Sequence, residues 1–178
     1  MFHQLDVRSK TVKMRKIFSP ITESGFTLVE LLVVISVIGI LAGMALVSFS
    51  GSQKQARDTQ RKSDIKQYQL ALENYANRYN GLYPQRPDAG GVIAATTLCT
   101  DLAQTSCPQD PRYTKDATYV YRYQSDGTAS DGTASATKYV LWEKLENFST
   151  TTYWIVCSNG KSGETTAGVP PAGGTCPL

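Results

Sequence analysis

The sequence has a single histidine, His3, among its 178 residues. Histidine is the usual general acid or base near neutral pH and a common zinc ligand. Beyond residue 3, the chain therefore offers no histidine-based catalytic set and no histidine for a metal site. We expect no enzyme activity and no cofactor.

The sequence also lacks a basic excess outside its first 25 residues. Of 18 basic and 15 acidic residues, five basic and two acidic ones lie in residues 1–25, which leaves 13 of each in the rest. A nucleic-acid-binding domain needs a basic face to meet phosphates, so we expect no direct nucleic-acid partner. The basic residues of the first segment are Arg8, Lys10, Lys13, Arg15 and Lys16.

Charge is nearly absent from residues 26–49, FTLVELLVVISVIGILAGMALVSF, where Glu30 is the one charged residue. As a helix this run extends about 36 Å, enough to cross a hydrocarbon core of about 30 Å. It is too long for the apolar region of a cleaved signal peptide. The preceding positive charge predicts a cytoplasmic leader and an extracytoplasmic remainder. The sequence leaves two starts open, Met1 and Met14.

Proline is absent from residues 26–83, so the sequence allows one uninterrupted helix of about 55 residues. Asn80-Gly81 followed by Pro84 predicts where it ends. In residues 50–83, apolar residues recur at spacings of three and four, which predicts a helical face that packs on a sheet. This stripe consists of Ile65, Tyr68, Leu72, Tyr75, Tyr79 and Leu82.

Residues 84–115 are rich in Pro, Gly, Asp and Thr, which predicts a loop. Three β-rich segments follow and predict strands: Tyr119–Tyr123, Lys138–Glu143 and Thr152–Cys157. Between the first two, the sequence SDGTA occurs twice, at 125–129 and 130–134, which predicts a lengthened hairpin loop. The predicted fold class is α+β, with one long N-terminal helix packed on a small antiparallel sheet.

Four cysteines, Cys99, Cys107, Cys157 and Cys176, lie in the C-terminal half and form no C-x-x-C pattern. An even number of cysteines beyond a membrane segment favours disulfides over a zinc site. Proximity in the sequence alone favours pairing Cys99 with Cys107 and Cys157 with Cys176. Three connectivities are possible.

Residues 25–30, Gly-Phe-Thr-Leu-Val-Glu, open the apolar run directly after the basic leader. This arrangement closely resembles the processing site of type IV prepilins and type II secretion pseudopilins. The resemblance implies a type IV pilin fold and a structural subunit of a type IV filament. It also implies that a prepilin peptidase cuts after Gly25 and N-methylates the new terminus at Phe26. Glu30 would then be the carboxylate used in assembly.

A looser resemblance to the major, G-type pseudopilin covers the head at residues 72–75, 81–84 and 108–111 and at the first strands. Four cysteines are more typical of some pilins, so a pilus and a secretion pseudopilus both stay open. The resemblance and the patterns above divide the chain into a cytoplasmic leader (1–25), a transmembrane and filament-core helix (26–49), its amphipathic continuation (50–83) and an extracytoplasmic head (84–178).

The implied location is the bacterial inner membrane, crossed once with the N-terminus in the cytoplasm, and then an extracytoplasmic filament. The implied partners are the prepilin peptidase and N-methyltransferase, identical or related pilin subunits and the inner-membrane assembly platform. The competing hypothesis is a signal-anchored single-pass membrane protein whose extracytoplasmic head binds a ligand.

Glu30 is a functional candidate on physical grounds as well. A lone carboxylate inside an apolar membrane helix costs at least about 2.5 kcal/mol, and residues 26–49 hold no cation. Cleavage after Gly25 would create one, the amine of Phe26, one turn from Glu30. The amine of a neighbouring subunit is a second possible partner. Simple hydration of Glu30 at the membrane surface is the alternative.

Two weaker patterns stay open. Gly39 and Gly43 form a G-x-x-x-G pattern that permits close helix packing, although such pairs are also ordinary in membrane helices. Four aspartates offer oxygens of the kind that calcium prefers, but ordinary turn roles are the favoured interpretation. They are Asp110, Asp116, Asp126 and Asp131.

Overall fold

The computed structural model describes residues 25–178, except for the side chains of residues 45–48. The proposed leader therefore lies outside the described residues apart from Gly25, as does the alternative start at Met14. The described chain forms a long helix, α1 (Leu28–Arg78), followed by short strands and a small helical segment. Its contacts define two compact units that divide between Ala42 and Gly43.

The length of α1, 51 residues, confirms the prediction of one long N-terminal helix. The helix begins at Leu28 rather than at Phe26, because Thr27 occupies the capping position before the first turn. The Leu31 N–H donates to the Thr27 carbonyl at 3.2 Å and closes that turn.

The end of α1 uses the predicted stop signal, but the helix ends at Arg78 rather than at residue 83. Asn80 and Gly81 have positive φ angles of 56° and 81°. The Gly81 N–H donates to the Ala76 carbonyl at 2.8 Å, as in a Schellman motif. The left-handed conformation of these two residues turns the chain away from the helix axis.

The strands of the described chain are β1 (Tyr83–Pro84), β2 (Val92–Ile93), β3 (Arg122–Ser125), β4 (Ala134–Ala136), β5 (Tyr139–Lys144), β6 (Tyr153–Cys157) and β7 (Ser162–Thr165). Five of them form an antiparallel sheet in the order β2-β3-β5-β6-β7, while β1 pairs with β4. A π-helical turn (Ala94–Leu98) and α2 (Cys99–Asp101) lie between β2 and β3.

The predictions for β5 and β6 are confirmed to within one residue at each end. The strand predicted at Tyr119–Tyr123 is wrong at its start, because the Tyr119 N–H closes a turn onto the Asp116 carbonyl at 3.1 Å and β3 begins only at Arg122. Residues 84–115 are not all loop, since they contain β2 and the two helical turns. The duplicated SDGTA segment runs into β4, which pairs with β1, so it is more than a hairpin loop.

The main core lies between the second half of α1 and one face of the sheet. Four of the predicted stripe residues, Ile65, Tyr68, Leu72 and Tyr75, are at most 5% exposed. The prediction fails at Tyr79, which is 46% exposed and stacks its ring on Tyr75 with centroids 4.2 Å apart. The residues that pack against this helical face are Tyr121, just before β3, and four residues of the sheet, Tyr123, Tyr139, Leu141 and Val156.

The opposite face of the sheet carries a smaller apolar cluster. Its fully buried members are Val140, Trp142, Ile155 and Cys157. Two residues of the C-terminal tail, Val169 and Cys176, pack on this cluster. The tail thus covers the face that α1 does not reach.

Candidate functional site

The predicted processing point lies at the start of the described chain. Gly25 and Phe26 precede α1 and are exposed, Phe26 to 89% of its surface. A Cβ added at Gly25 would meet no atom within 4 Å. In the described part of the chain, the peptide bond between these residues is therefore open to another protein.

Thr27 and Glu30 form a reciprocal capping box at the first turn of α1. The Thr27 N–H donates to Glu30 Oε2 at 2.9 Å, and the Thr27 hydroxyl donates to the same oxygen at 2.8 Å. The Glu30 N–H donates to Thr27 Oγ1 at 3.2 Å. Sequence reasoning missed this role, although Thr-x-x-Glu before an apolar run is its known signal.

The apolar segment of α1 is exposed along its length, with large side chains from Leu28 to Phe49 between 51% and 87% accessible where they are described. By length and composition the helix is able to cross a membrane. The hydroxyl of Ser36 donates to the Leu32 carbonyl at 2.7 Å, which satisfies it without water. The segment is thus built to meet an apolar surrounding.

Gly39 and Gly43 lie one turn apart on this segment. A Cβ added at either position would meet no atom within 4 Å. Neither glycine is needed for packing within the described chain. Close packing at these positions would have to involve another molecule.

A buried ion network joins α1 to the head, and sequence reasoning missed it. Arg61 is 0% exposed and forms ion pairs with Asp58 at 2.7 Å, Asp110 at 2.5 Å and Glu146 at 2.5 Å. Burial alone would lower the pKa of Arg61, but its bonds to Asp110 and Glu146 raise the pKa above the ordinary value, so it stays charged. In the sequence, the charged residues of α1 that take part in this network have the pattern of an ordinary solvent-exposed helical face.

The Glu146 carboxylate forms ion pairs with three guanidinium groups. Besides Arg61, it binds Arg57 at 2.7 Å and Arg112 at 3.1 Å. Its carboxylate side chain is 1% exposed. Burial alone would raise the pKa of Glu146, but the bonds from Arg57 and Arg61 outweigh burial and hold the pKa at about 2. Glu146 is therefore a buried anion at neutral pH.

Glu143, three residues before Glu146 and within β5, behaves in the opposite way. It is 1% exposed, and both of its carboxylate oxygens lack a hydrogen-bond partner within the described chain. Burial raises the pKa of Glu143 to about 10 despite the attraction of Arg61, and the nearby Asp110 and Asp58 add to the rise. The side chain is therefore protonated at neutral pH.

The cysteines form two disulfides, Cys99–Cys107 and Cys157–Cys176. These are the pairs that sequence proximity favoured. The first closes the segment around α2, and the second ties the tail to the end of β6.

The four aspartates considered for calcium serve turns and the ion network. Asp116, Asp126 and Asp131 accept backbone N–H groups of nearby residues at 3.0 Å or less, and Asp110 accepts the Arg112 N–H at 2.7 Å. The turn interpretation therefore accounts for these carboxylates. In the part of the chain that the structure describes, no group of three or more His, Cys, Asp or Glu is arranged to hold a metal ion.

Comparison with known proteins shows which protein family this chain matches. The family described as "Prokaryotic N-terminal methylation motif" matches residues 22–46, which include the capping box. The chain is similar to the type II secretion system core protein G of Vibrio cholerae, at 30% identity over 67% of this chain and 70% of the relative. It is also similar to the protein of that name from Escherichia coli, at 38% identity over 61% of this chain and 69% of the relative.

A third similarity is to the type IV major pilin protein PilA of Myxococcus xanthus, at 33% identity over 42% of this chain and 39% of that protein. The chain spans about two thirds of the length of most of the type II secretion relatives that it matches, and 37% of the length of the one from Pseudomonas aeruginosa. No solved structure matches the chain significantly.

Proposed function

Because the chain belongs to the type IV pilin and type II secretion pseudopilin family, we propose that it is a structural subunit of the secretion type of filament. The observation that carries the proposal is the first turn of α1. There, an accessible Gly25–Phe26 bond precedes a capped helix whose apolar side chains are exposed. A helix of this kind needs a bilayer or a bundle of like helices around it.

We infer four functional segments. Residues 1–25 form a cytoplasmic leader, and 26–49 cross the inner membrane and later lie in the filament core. Residues 50–83 lie in the extracytoplasmic space and continue the helix as far as Arg78. Residues 84–178 form the head, with its tail held by a disulfide. The five basic residues of the leader anchor it in the cytoplasm, because moving them through the bilayer costs several kcal/mol each at worst.

Processing follows from this topology. A prepilin peptidase cuts after Gly25 at the cytoplasmic edge of the membrane and methylates the amine of Phe26. The cut removes the basic leader and leaves a single positive charge close to Glu30. It thereby frees the helix to leave the bilayer for the assembly platform and for contacts with identical or related subunits.

Glu30 has two duties in this proposal. Its Oε2 caps the helix through Thr27, and its charge attracts an amine, either that of its own Phe26 or that of an adjacent subunit. An intersubunit pair would set the axial register of the filament. Gly39 and Gly43 would let neighbouring helices approach closely, which suits positions where an added Cβ meets nothing in the chain itself.

A pilus subunit is the second candidate. The match to a major pilin favours it, as do the four paired cysteines. The longer matches are to the secretion protein, and they decide our preference. Deleting the gene should abolish secretion of exported enzymes if the preference is right. Loss of surface pili with normal secretion would favour the pilus instead.

The test of processing is the mass of the N-terminal peptide from membranes of the source bacterium. We expect a peptide that begins with N-methylated Phe26. As a matched comparison, Gly25→Ala should leave an unprocessed, membrane-bound precursor and no filaments. An uncut parent chain would instead support a signal-anchored protein with a ligand-binding head.

A further inference from the structure

A hollow of about 400 Å³ lies on the face of the sheet that the tail covers, opposite α1. Strand register explains which side chains meet there. Trp142 of β5 pairs with Arg122 of β3, and Lys144 of β5 pairs with Tyr153 of β6. Because side chains alternate along a strand, Trp142 and Lys144 share this face of the sheet. All four side chains line the hollow.

The least exposed residues of the hollow are apolar. Val120 and Trp142 are 8% and 4% exposed. Gly91 packs so closely on the Trp142 ring that an added Cβ would collide with it. The tail contributes Val169 and Pro170. An apolar side chain that enters the hollow would therefore meet an apolar surface that is already formed.

Both charged residues that line the hollow are cations, Arg122 and Lys144. Arg122 Nη1 donates to the Gly91 carbonyl at 3.0 Å, which orients the guanidinium. Within residues 25–178, its Nε and Nη2 make no hydrogen bond and the residue makes no ion pair. This edge of the guanidinium is the planar fork that binds a carboxylate through two parallel hydrogen bonds.

Lys144 also makes no ion pair in the part of the chain that the structure describes. Its Nζ lies over the Tyr119 ring, 5.1 Å from the ring centre. Asp116 acts on Lys144 electrostatically but does not reach ion-pair distance. The Asp116 carboxylate instead accepts the N–H and the hydroxyl of Thr118 at 3.0 and 2.7 Å. The hollow therefore has a positive charge that no neighbouring carboxylate neutralises.

These features indicate the chemistry of the ligand. The cations require a negative charge, and the arginine fork suits a planar carboxylate. The apolar surface beside them requires an apolar group a few ångströms from that carboxylate. A peptide supplies both groups on neighbouring residues. The volume lies near the lower end of the range for ligand pockets, about 300–1,000 Å³, so the hollow suits a short segment.

We propose that this hollow binds an acidic peptide segment in which a carboxylate lies next to an apolar side chain. The carboxylate pairs with Arg122 and Lys144, and the apolar side chain lies on Val120 and Trp142. All lining residues belong to the compact unit that begins at Gly43. The site goes beyond the proposed function and does not depend on it, because a filament subunit and a signal-anchored protein could both use it.

The test uses the full chain in an uncharged detergent. Trp154→Phe is the background, so that Trp142 is the single tryptophan. The probe is the tetrapeptide acetyl-Phe-Asp-Leu-Asp-amide, and its control has asparagine in place of both aspartates. We expect the acidic peptide to shift the Trp142 emission and to saturate. The neutral peptide should bind at least about tenfold more weakly, because it cannot form charge-assisted hydrogen bonds.

Substitution of the two cations locates the binding. Arg122→Gln should weaken binding of the acidic peptide by about tenfold and Lys144→Gln by about fivefold. Lys66→Gln is the matched control, because it removes the same charge from α1, on the other side of the sheet, where Lys66 Nζ donates to Gln69 at 2.8 Å. We expect the control to bind as the parent does. The comparison of the two peptides needs no change in the hollow, so it holds even if a variant unfolds.

Equal affinity for the two peptides, or no emission shift at peptide concentrations up to about 1 mM, would overturn the site. Unchanged affinity in both Arg122→Gln and Lys144→Gln would show that the peptide binds elsewhere and would also overturn it. Binding of inorganic pyrophosphate or of phosphatidylglycerol in mixed micelles, without binding of the acidic peptide, would show a phosphate site and overturn the peptide as its ligand. None of these outcomes bears on processing at Gly25.

Discussion

The Arg61 guanidinium donates two hydrogen bonds to the Asp110 carboxylate, from Nε to Oδ2 at 2.5 Å and from Nη2 to Oδ1 at 3.1 Å. The arginine side chain is 0% exposed and the aspartate side chain 2%. The pair joins the middle of α1 to the segment that leads into β3. Because neither charge has access to water, α1 cannot slide along the sheet without leaving a buried ion unpaired.

Asp110→Asn should therefore destabilise the head by about 3 kcal/mol, because it leaves Arg61 with excess buried charge. Urea unfolding of the full chain in detergent, followed by near-ultraviolet circular dichroism, measures this. Glu164→Gln is the matched control, since Glu164 pairs with Lys62 at 2.8 Å while both side chains are over a third exposed. We expect the control to cost about 1 kcal/mol or less. Equal costs for the two variants would contradict the role given to Asp110.

Glu143 should make the head less stable as the pH rises. Its pKa is about 10 in the folded chain, against an ordinary value of 4.5, so between these values the folded state holds a proton that the unfolded state releases. At pH values below 4.5, the contribution of neutral Glu143 to the free energy of unfolding is fully present. As the pH rises from there toward about 10, the free energy of unfolding falls by up to about 1.4 kcal/mol per pH unit.

Glu143→Gln should remove most of this slope and raise stability at mildly alkaline pH, because the side chain stays neutral at similar volume. Urea midpoints across the neutral and mildly alkaline range, for the parent and the variant, measure it. Glu164→Gln should keep the parental slope. A variant slope equal to the parent's would show that Glu143 ionises inside the folded head.

The tail disulfide should matter more than the short one. Cys157–Cys176 spans 19 residues and holds the tail over Trp142, whereas Cys99–Cys107 spans 8. Replacing both cysteines of the longer bridge with serine should cost about 2–4 kcal/mol, and a shorter closed loop contributes less. Urea unfolding of the two double-serine variants tests the ranking, and a reversed order would contradict it.

The long helix and the two central strands were predictable because each has enough residues to show a period. β1, β2 and β4 are only two or three residues long and have no pattern to detect. Tyr79 continued the apolar stripe, yet α1 ends one residue before it and the chain turns away, so burial did not follow the spacing there.

The candidate site divides in the same way. Gly25, Phe26 and Glu30 stand out because their motif is contiguous. The Arg61 network does not, because its acidic partners Asp110 and Glu146 lie 49 and 85 positions away and only the fold brings them together. The burial of Glu143 could not be predicted from the sequence either, since a charged residue in a strand normally indicates an exposed face.

Glu30 and Thr27 allow the charge of the carboxylate to be separated from its capping role. Glu30→Gln keeps a side-chain oxygen for the Thr27 N–H, as the capping box permits, but removes the charge that attracts an amine. Thr27→Ala keeps the charge of Glu30 but removes the hydroxyl that caps the helix, at a cost of about 1 kcal/mol.

If pairing with the Phe26 amine drives assembly, Glu30→Gln should be cut and inserted normally but should form few filaments, while Thr27→Ala assembles nearly as well as the parent. Each variant should be the only copy in the cell, with precursor and mature masses read by immunoblot and filaments sheared from the same culture. The opposite ranking would mean that the role of Glu30 is to cap the first turn of α1 and not to pair with an amine during assembly.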